Sequence, residues 1–372
     1  MSPSLEVQII AILVAFSCAL PGVFLVLKKQ AMMSDAISHT ILLGIVIAFF
    51  FVGNLNSPIL ILGAALVGIL TVFLSELIVK SRVVAIDASI GLISPFLFSI
   101  AVILITRFAS GVHLDLDAVL LGELAFAPFD RLILFGIDFG AKSLYIMAFI
   151  LILNIVFILL FYKELKLTTF DASFAFILGF SPVLINYLFM GLVSITAVSA
   201  FSAVGTILVI SFMVGPPITA SLLTQKLKTT IFLTLIIALI NTILGFQISV
   251  IFDISIAGTL ATTNALVFIF TLLFNRRGII YTLFQRRKQK RIYTLYTMLF
   301  HLYHHEDTEL EKQENSLSTI HHHLNWKQRQ LNKMIYFGKK ENLIVIIKDI
   351  IKLTECGRRY ALDAYQELID SI

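Results

Sequence analysis

The sequence predicts an all-α polytopic membrane protein that ends in a small α+β domain outside the membrane. Two observations of composition support this fold class: 58% of the 372 residues are hydrophobic and only 14% are charged. Soluble domains carry about 25% charged residues. The third observation is that the net charge is −1 over residues 1–274 and +6 over residues 275–372. A near-neutral membrane body is therefore followed by a basic tail.

Nine apolar runs are candidates for membrane-spanning helices, because a span needs about 20 apolar residues. The boundary between the sixth and seventh runs is the least distinct, so eight spans remain an alternative. The runs cover residues 5–27, 35–53, 58–79, 87–106, 143–162, 182–200, 203–224, 229–250 and 255–274.

Basic residues follow alternate runs, and the positive-inside rule places such clusters in the cytoplasm. Nine spans then give an outside N-terminus and a cytoplasmic tail without contradiction, as in a multi-pass protein of the bacterial plasma membrane. The clusters are Lys28/Lys29, Lys80/Arg82, Lys163/Lys166, Lys226/Lys228 and Arg276/Arg277.

Asp35 and His39 lie four residues apart at the start of the second run, so a helix projects both side chains from one face. A carboxylate and an imidazole together suit manganese, iron or zinc. Ionisable residues inside a membrane cost roughly 2.5–3.5 kcal/mol each and usually mark a substrate pathway. The alternative is that Asp35 caps the helix and His39 packs in its interior. The spacing alone leaves both interpretations open.

Two other segments interrupt the apolar pattern. The stretch from Asp171 to Gly179 begins with a capping-type residue and ends with glycine, which predicts a short helix parallel to the membrane. This helix could contact a cytoplasmic partner or be a plain interfacial helix. Gly215, Pro216 and Pro217 lie within the seventh run. Because proline removes a backbone donor, they predict either a broken helix beside a translocation path or a kinked packing helix.

The sequence contains no glycine-rich phosphate loop followed by Lys-Ser or Lys-Thr, no His-Glu-x-x-His pair and no Gly-x-Ser-x-Gly elbow. A Walker-type ATP site within this chain is therefore excluded. A transporter of this size without its own nucleotide site uses an ion gradient or a separate ATPase. We expect no enzymatic activity in this chain itself.

Several segments, in their order along residues 5–278, resemble the permease subunits of ATP-binding-cassette (ABC) importers for manganese, zinc and iron. The most specific is Lys28-Lys29 followed by Asp35-Ala36-Ile37-Ser38-His39, which is similar to the family's Gly-Asp-Ala-Ile-Ser-His signature. Ser34 and Leu43 depart from the Gly and Pro that the family often has there. The other similar segments are Asp87–Gly91, Leu120–Glu123, Phe170–Gly179 and Ala203–Gly205 leading to Gly215–Ala220.

The resemblance implies roles for individual residues. Asp35 and His39 would line the metal path, with the transported divalent ion as cargo and no permanently bound cofactor. The residues implied to dock on the ATPase are Asp171, Ala175, Leu178 and Gly179. The residues implied to form a broken-helix pathway are Gly205, Gly215, Pro216 and Pro217.

The resemblance also implies a cobalamin-importer-type fold and a set of partners. These are a second copy of the permease in a homodimer, an ABC ATPase subunit, an extracellular metal-binding protein or lipoprotein, and membrane lipid. The function implied is passage of manganese, zinc or iron from the extracellular protein to the cytoplasm.

The tail is predicted to have two parts: a basic juxtamembrane linker at 279–291, which would bind anionic lipid, and a cytoplasmic domain at 292–372. Together with a permease domain at 1–278, this gives three regions. The domain's predicted order of helices and two short strands resembles the winged-helix domain of metal-dependent repressors. Consecutive histidines such as 321–323 point around a helix, so we interpret them as exposed polar residues rather than metal ligands.

Two other functions fit parts of the sequence. A gradient-driven secondary metal transporter would show inverted repeats, and none is evident. A membrane-tethered metal-responsive transcriptional regulator would use the tail to bind DNA. We do not expect DNA binding, because a domain tethered to the membrane reaches DNA awkwardly.

Overall fold

The computed structural model describes residues 3–54, 57, 59–81, 83–108, 124–134, 137–275 and 278–370. The chain divides into two compact units, Met1–Gly278 and Ile279–Ile372. The segment Leu120–Glu123, one of those that carry the resemblance, lies outside the described residues.

The first unit is almost entirely helical. In the part of the chain that the structure describes, nine helices are long and apolar enough to cross a membrane, which confirms the predicted polytopic class. The helices of this unit are α1 (Pro3–Leu27), α2 (Met32–Val52), α3 (Ile59–Lys80), α4 (Ile86–Phe108), α5 (Lys142–Leu160), α6 (Tyr162–Phe170), α7 (Ala172–Ile177), α8 (Pro182–Val204), α9 (Thr206–Leu223), α10 (Leu227–Phe252) and α11 (Ile256–Phe274).

Helix α1 lies at the centre of this unit, where it packs against α5, α8, α9 and α10. Its side chains Ile10, Val14 and Phe24 are buried. Gly22 lies directly against the main-chain carbonyl of Met213 in α9, so any side chain at position 22 would collide with that backbone. Small residues of this kind let membrane helices approach closely.

Helix α2 lies in a second packing region, against α3 and α4. Leu42 and Val46 of α2 form a buried cluster there with Leu97 of α4. Gly44 and Gly63 bring α2 and α3 into backbone contact. This packing fixes the rotation of α2, and with it the direction in which the acidic and imidazole side chains of its first two turns project.

Of the two alternatives predicted at Gly215–Pro217, a break is not observed, because α9 continues through all three residues. The helical path breaks at Gly205, which the resemblance also named, where φ is 81° and ψ is 163°. Pro216 and Pro217 cannot donate hydrogen bonds to the preceding turn. Gly22 of α1 packs against the Met213 carbonyl and the Pro217 ring, so this part of α9 is in close contact with α1.

A short antiparallel hairpin, β1 (Arg131–Leu134) and β2 (Ile137–Ala141), precedes α5. Arg131 joins it to α1, since Arg131 Nη1 lies 2.9 Å from Glu6 Oε2 and Arg131 Nε lies 3.0 Å from Asp138 Oδ2. The hydrogen bond with Glu6 raises the pKa of the Arg131 guanidinium. The buried carboxylate of Glu6 is thereby neutralised within the chain.

The second unit is a small α+β domain. Its core includes Met298, Leu299 and Leu302, with Leu331 and Ile351 from the elements that pack against them. The elements are α12 (Ile279–His305), α13 (Glu311–Glu314), α14 (Ile320–His323), α15 (Gln328–Lys340), β3 (Ile344–Ile347), β4 (Ile350–Leu353) and α16 (Glu355–Asp370), with β3 and β4 antiparallel.

The basic segment 279–291, predicted as a linker, forms the first half of α12. Lysine, arginine and glutamine are good helix formers, and the apolar residues from Met298 onward hold the helix on the domain core. The two-stranded sheet falls where the apolar β-type runs predicted strands. The assignment of this domain to the winged-helix class stays a prediction.

Candidate functional site

Asp35 and His39 project from one face of α2, in its first and second turns. His39 Nε2 lies 3.7 Å from Asp35 Oδ1, and the side chains are 50% and 47% exposed, respectively. The His39 ring contacts Phe98 of α4 edge-on, with 5.9 Å between ring centroids. The helix begins at Met32, so Asp35 lies in its first turn rather than at the N-cap, and the His39 imidazole is half exposed within this chain.

This pair offers one oxygen and one nitrogen ligand to a divalent ion. Among the described residues, no third His, Cys, Asp or Glu side chain lies close enough to Asp35 and His39 to form a group of three ligands. Within the part of the chain that the structure describes, this pair therefore offers two ligand atoms and no more from such side chains.

The segment from Asp171 to Gly179 forms the short helix that the sequence predicts, α7. Asp171 Oδ1 accepts a hydrogen bond from the Phe174 N–H at 2.9 Å, which caps the first turn. Gly179 ends the segment with φ 86°, a left-handed conformation that favours glycine. Two of the four predicted docking residues thus shape the segment.

The exposed surface of α7 is apolar. Phe176 is 72% and Ile177 78% exposed, and Leu178 is 52% exposed. Ala175, which was predicted to dock, is fully buried and instead packs the helix onto its own chain. Phe174 and Phe176 were missed, although two phenylalanines between a polar cap and a glycine are a visible signal for an apolar contact surface.

Of the four residues of the predicted broken-helix pathway, Gly215, Pro216 and Pro217 lie in packing contacts, and Gly205 is where the helical path breaks. Pro216 and Pro217 are buried, and Gly215 faces Asn264 of α11. Asn264 accepts a hydrogen bond from Asn241 Nδ2 at 2.7 Å and donates one to Ser211 Oγ at 3.0 Å. This polar network links α9, α10 and α11, and the sequence pattern does not reveal it.

A second network that the sequence did not reveal joins α3 and α8 to the residue after α1. Lys28 Nζ donates to Asn186 Oδ1 at 3.1 Å, and Asn186 Nδ2 donates to Glu76 Oε1 at 2.9 Å. The Tyr187 hydroxyl donates to the other Glu76 oxygen at 2.9 Å. Because Glu76 has its own partners within the chain, it is not available as a metal ligand in this conformation.

Comparison with known proteins shows similarity along the first unit and beyond it. A family described as "ABC 3 transport family" matches residues 4–275. The manganese transport system membrane protein MntD of Bacillus subtilis (strain 168) is 41% identical over 274 residues, which are 73% of this chain and 92% of that protein. The zinc transport system membrane protein TroD of Treponema pallidum (strain Nichols) is 39% identical over 355 residues, 95% of this chain and 96% of that protein.

A solved structure is similar to the first unit. PsaBC from Streptococcus pneumoniae in complex with Fab matches with a TM-score of 0.61 and 26% identity, over 76% of this chain and 95% of that chain. The similarity to TroD, by its length, extends into the second unit.

Proposed function

The chain belongs to the ABC 3 transport family, and from this we infer that it is the membrane-spanning permease of an ABC importer for divalent metal ions. It is a multi-pass protein of the bacterial plasma membrane. ATP is hydrolysed by a separate subunit, and the permease is not itself an enzyme. The single observation that carries this conclusion is the family match over residues 4–275, and it confirms the function predicted from the sequence.

We propose that the cargo is manganese or zinc, with iron as the third ion that the same ligands accept. Two relatives are named for manganese and for zinc transport. An oxygen and a nitrogen ligand bind all three ions, so the ligand pair does not by itself select among them.

Asp35 and His39 are the proposed ligands of the passing ion. The carboxylate neutralises part of the ion's charge, and the neutral imidazole adds a nitrogen ligand. Both side chains are about half exposed in the single chain, within a helix long and apolar enough to span the membrane. Such a pair facing lipid would be costly, which supports a buried pathway beside this face of α2.

A homodimer would supply that pathway. If the exposed face of α2 meets the same face of a second copy, two Asp35 and two His39 side chains surround one ion. Four ligands from two chains hold a divalent ion without a cage inside either chain, so the ion can be released when the subunits move. The partial ligand set within one described chain supports this arrangement.

The apolar surface of α7 is the proposed contact with the ATPase. Its exposed side chains Phe176, Ile177 and Leu178 would insert into the partner, while Asp171 and Gly179 fix the ends of the segment. An extracellular metal-binding protein or lipoprotein would deliver the ion on the opposite side of the membrane.

The basic half of α12 is proposed to bind anionic membrane lipid. The side chains of Arg286, Arg287 and Lys288 are exposed, as are those of Lys290 and Arg291. A cluster of this kind next to the last span is attracted to the negative inner leaflet. The winged-helix-like domain beyond it is proposed to regulate transport or dimerisation rather than to bind DNA.

The function is tested by metal accumulation in cells that lack this gene. Cell-associated manganese, zinc and iron are measured with and without the restored chain, and again in cells that also lack the partner ATPase. We expect the chain to restore accumulation of at least one of the three ions only when the ATPase is present. Restoration without the ATPase would support a gradient-driven transporter, and no effect on any of the ions would contradict metal import.

A further inference from the structure

Three histidines and one glutamate come together in the second unit. His301 and His305 lie one turn apart on α12, Glu314 ends α13, and His323 ends α14. One ligand atom from each of His301, His305 and Glu314 lies within 4.8 Å of the others, and all three side chains are partly buried. Four potential ligands thus converge from three separate elements.

The distances in this cluster are close to those of a coordination sphere. His323 Nδ1 lies 2.9 Å and His301 Nε2 lies 3.8 Å from the same Glu314 oxygen, Oε2. The His301 and His305 ring centroids are 4.8 Å apart. Ligands on a tetrahedral ion with bonds of about 2.0–2.1 Å are separated by about 3.3 Å. Movements of the ligand atoms by about 1.5 Å or less would bring His301, His305 and Glu314 to this separation. His323 contacts Glu314, but its ring centroid is 6.3 Å from that of His301, so its side chain must move farther.

The backbone that carries these ligands is held by buried neighbours. Leu302, next to His301, is 1% exposed, and Asn315, next to Glu314, is also 1% exposed. The Asn315 side chain donates to the Leu302 carbonyl at 3.4 Å, and the Asn315 carbonyl accepts from the Ile351 N–H at 2.9 Å. Thr319 Oγ1 donates to the Gln313 carbonyl, which ties the segment before α14 to α13. The ligands are thus placed by the domain core and not by a free loop.

The charge of the cluster also suits a cation. Residues 306–314 contain five carboxylates and one lysine, which raises the local concentration of cations. Arg358 and Lys352 form ion pairs with two of these carboxylates, Glu306 and Glu311, whereas Glu314 contacts the histidines.

We propose that His301, His305, Glu314 and His323 form a binding site for a divalent transition-metal ion in the C-terminal unit. Three imidazole nitrogens and one carboxylate oxygen favour zinc over manganese. Binding would join α12, α13 and α14 through one ion. On the predicted cytoplasmic side, the site would respond to metal that has already entered the cell; this role rests on the proposed function, whereas metal binding itself does not.

Metal binding is measured on the purified full-length chain carrying Asp35→Ala and His39→Ala, so that the proposed pathway ligands make no contribution. Zinc chloride is titrated by calorimetry, and cobalt chloride by its visible absorption, which is intense for tetrahedral sites. We expect one high-affinity site per chain, tighter for zinc than for manganese. Glu314→Gln and His305→Ala should each weaken it by about 100-fold and reduce the tetrahedral cobalt absorption.

The matched controls are His304→Ala and His322→Ala, which remove exposed histidines that neighbour the site in sequence. Both should leave the zinc affinity and the cobalt spectrum unchanged. Circular dichroism checks that every variant is folded. Glu314→Gln is the decisive variant, because it preserves the shape of the side chain. Unchanged affinity in Glu314→Gln and His305→Ala, or equal loss in the controls, would overturn the proposal. Either result would leave the import function untouched, because that is measured by transport.

Discussion

Single charged residues of the first unit differ in whether the chain itself neutralises them. Glu6 is buried but has Arg131 within 2.9 Å, and Glu76 accepts hydrogen bonds from Asn186 and Tyr187. Asp35 and His39 contact each other at 3.7 Å and are about half exposed. Since uncompensated ionisable groups in lipid are costly, the pair on α2 has the features of a binding site and the buried Glu6 those of a structural group.

Arg131→Ala should therefore destabilise the first unit. The substitution leaves the Glu6 carboxylate, 7% exposed, without its cation, at a cost of about 1–3 kcal/mol. Thermal unfolding in detergent would show this loss. Lys142→Ala is the matched control, because its 3.9 Å contact with exposed Asp130 should contribute under about 1 kcal/mol. Equal stability of the Arg131 variant and wild type would contradict the structural role.

The sequence could predict the Asp35–His39 pair because both ligands lie on one helix at a spacing of four. It could not predict the cluster of His301, Glu314 and His323, because those ligands meet through tertiary packing. The runs of adjacent histidines drew attention to residues that point apart, such as exposed His304 and His322. The informative signal was the spacing of His301 and His305, which lie one turn apart on α12.

At the level of elements, long apolar periodicity predicted every helix of the first unit that spans 18 residues or more within the described chain. The break in the helical path could be predicted only in part. The resemblance named Gly205 together with Gly215, Pro216 and Pro217, and the structure has the break at Gly205 alone. Proline is a local signal of a break, whereas the packing of Gly22 against α9 involves residues far away in sequence.

Gly205→Ala should destabilise the junction between α8 and α9. With φ 81° and ψ 163°, alanine at this position costs about 1–3 kcal/mol. Gly91→Ala is the control, since Gly91 lies within α4 with no atom in reach of an added methyl group, and should be neutral or slightly stabilising. Thermal unfolding of both variants provides the comparison. A Gly205 variant as stable as the Gly91 variant would exclude backbone strain as the constraint there.

Phe176→Asp should weaken the contact with the ATPase. Phe176 is 72% exposed on α7, and a charge there would be buried without a partner in the complex. We expect about 10-fold or greater loss of ATPase recovered with the affinity-tagged permease. Ile133→Asp, on the β1–β2 hairpin and 66% exposed, is the control for a charge introduced at an exposed apolar position outside α7. Normal recovery with the Phe176 variant would place the docking surface elsewhere.

At the scale of the whole molecule, the two units differ in what sequence alone could predict. Apolar composition determined the class of the first unit, and the proposed second copy is a property of the assembly that one sequence does not reveal. The order of elements in the second unit was largely predictable, but the continuity of α12 from Ile279 was not. The basic charge of residues 279–291 suggested a linker, but the same residues have a high helix propensity and form the first half of α12.

The proposed dimer predicts that a bifunctional thiol reagent about 10 Å long cross-links two His39→Cys chains, because residues that share one ion lie farther apart than the roughly 7 Å limit for a disulfide. The background carries Cys356→Ser, because Cys356 is exposed while Cys18 is buried. Leu62→Cys is the control, since Leu62 is 60% exposed on α3, outside the proposed interface. Non-reducing electrophoresis should show a covalent dimer for the His39 variant alone. Cross-linking of both variants to the same extent would contradict pairing through α2.

The most direct measurement is ATP-driven uptake of manganese and zinc into proteoliposomes that contain the permease and its ATPase. Asp35→Ala and His39→Ala should each reduce uptake by about 10-fold or more while ATP hydrolysis remains measurable, because each removes a ligand from the path. Asp253→Asn, a change at an exposed residue between α10 and α11, should transport normally. Wild-type uptake by both α2 variants would contradict the account and leave the ion with a different route.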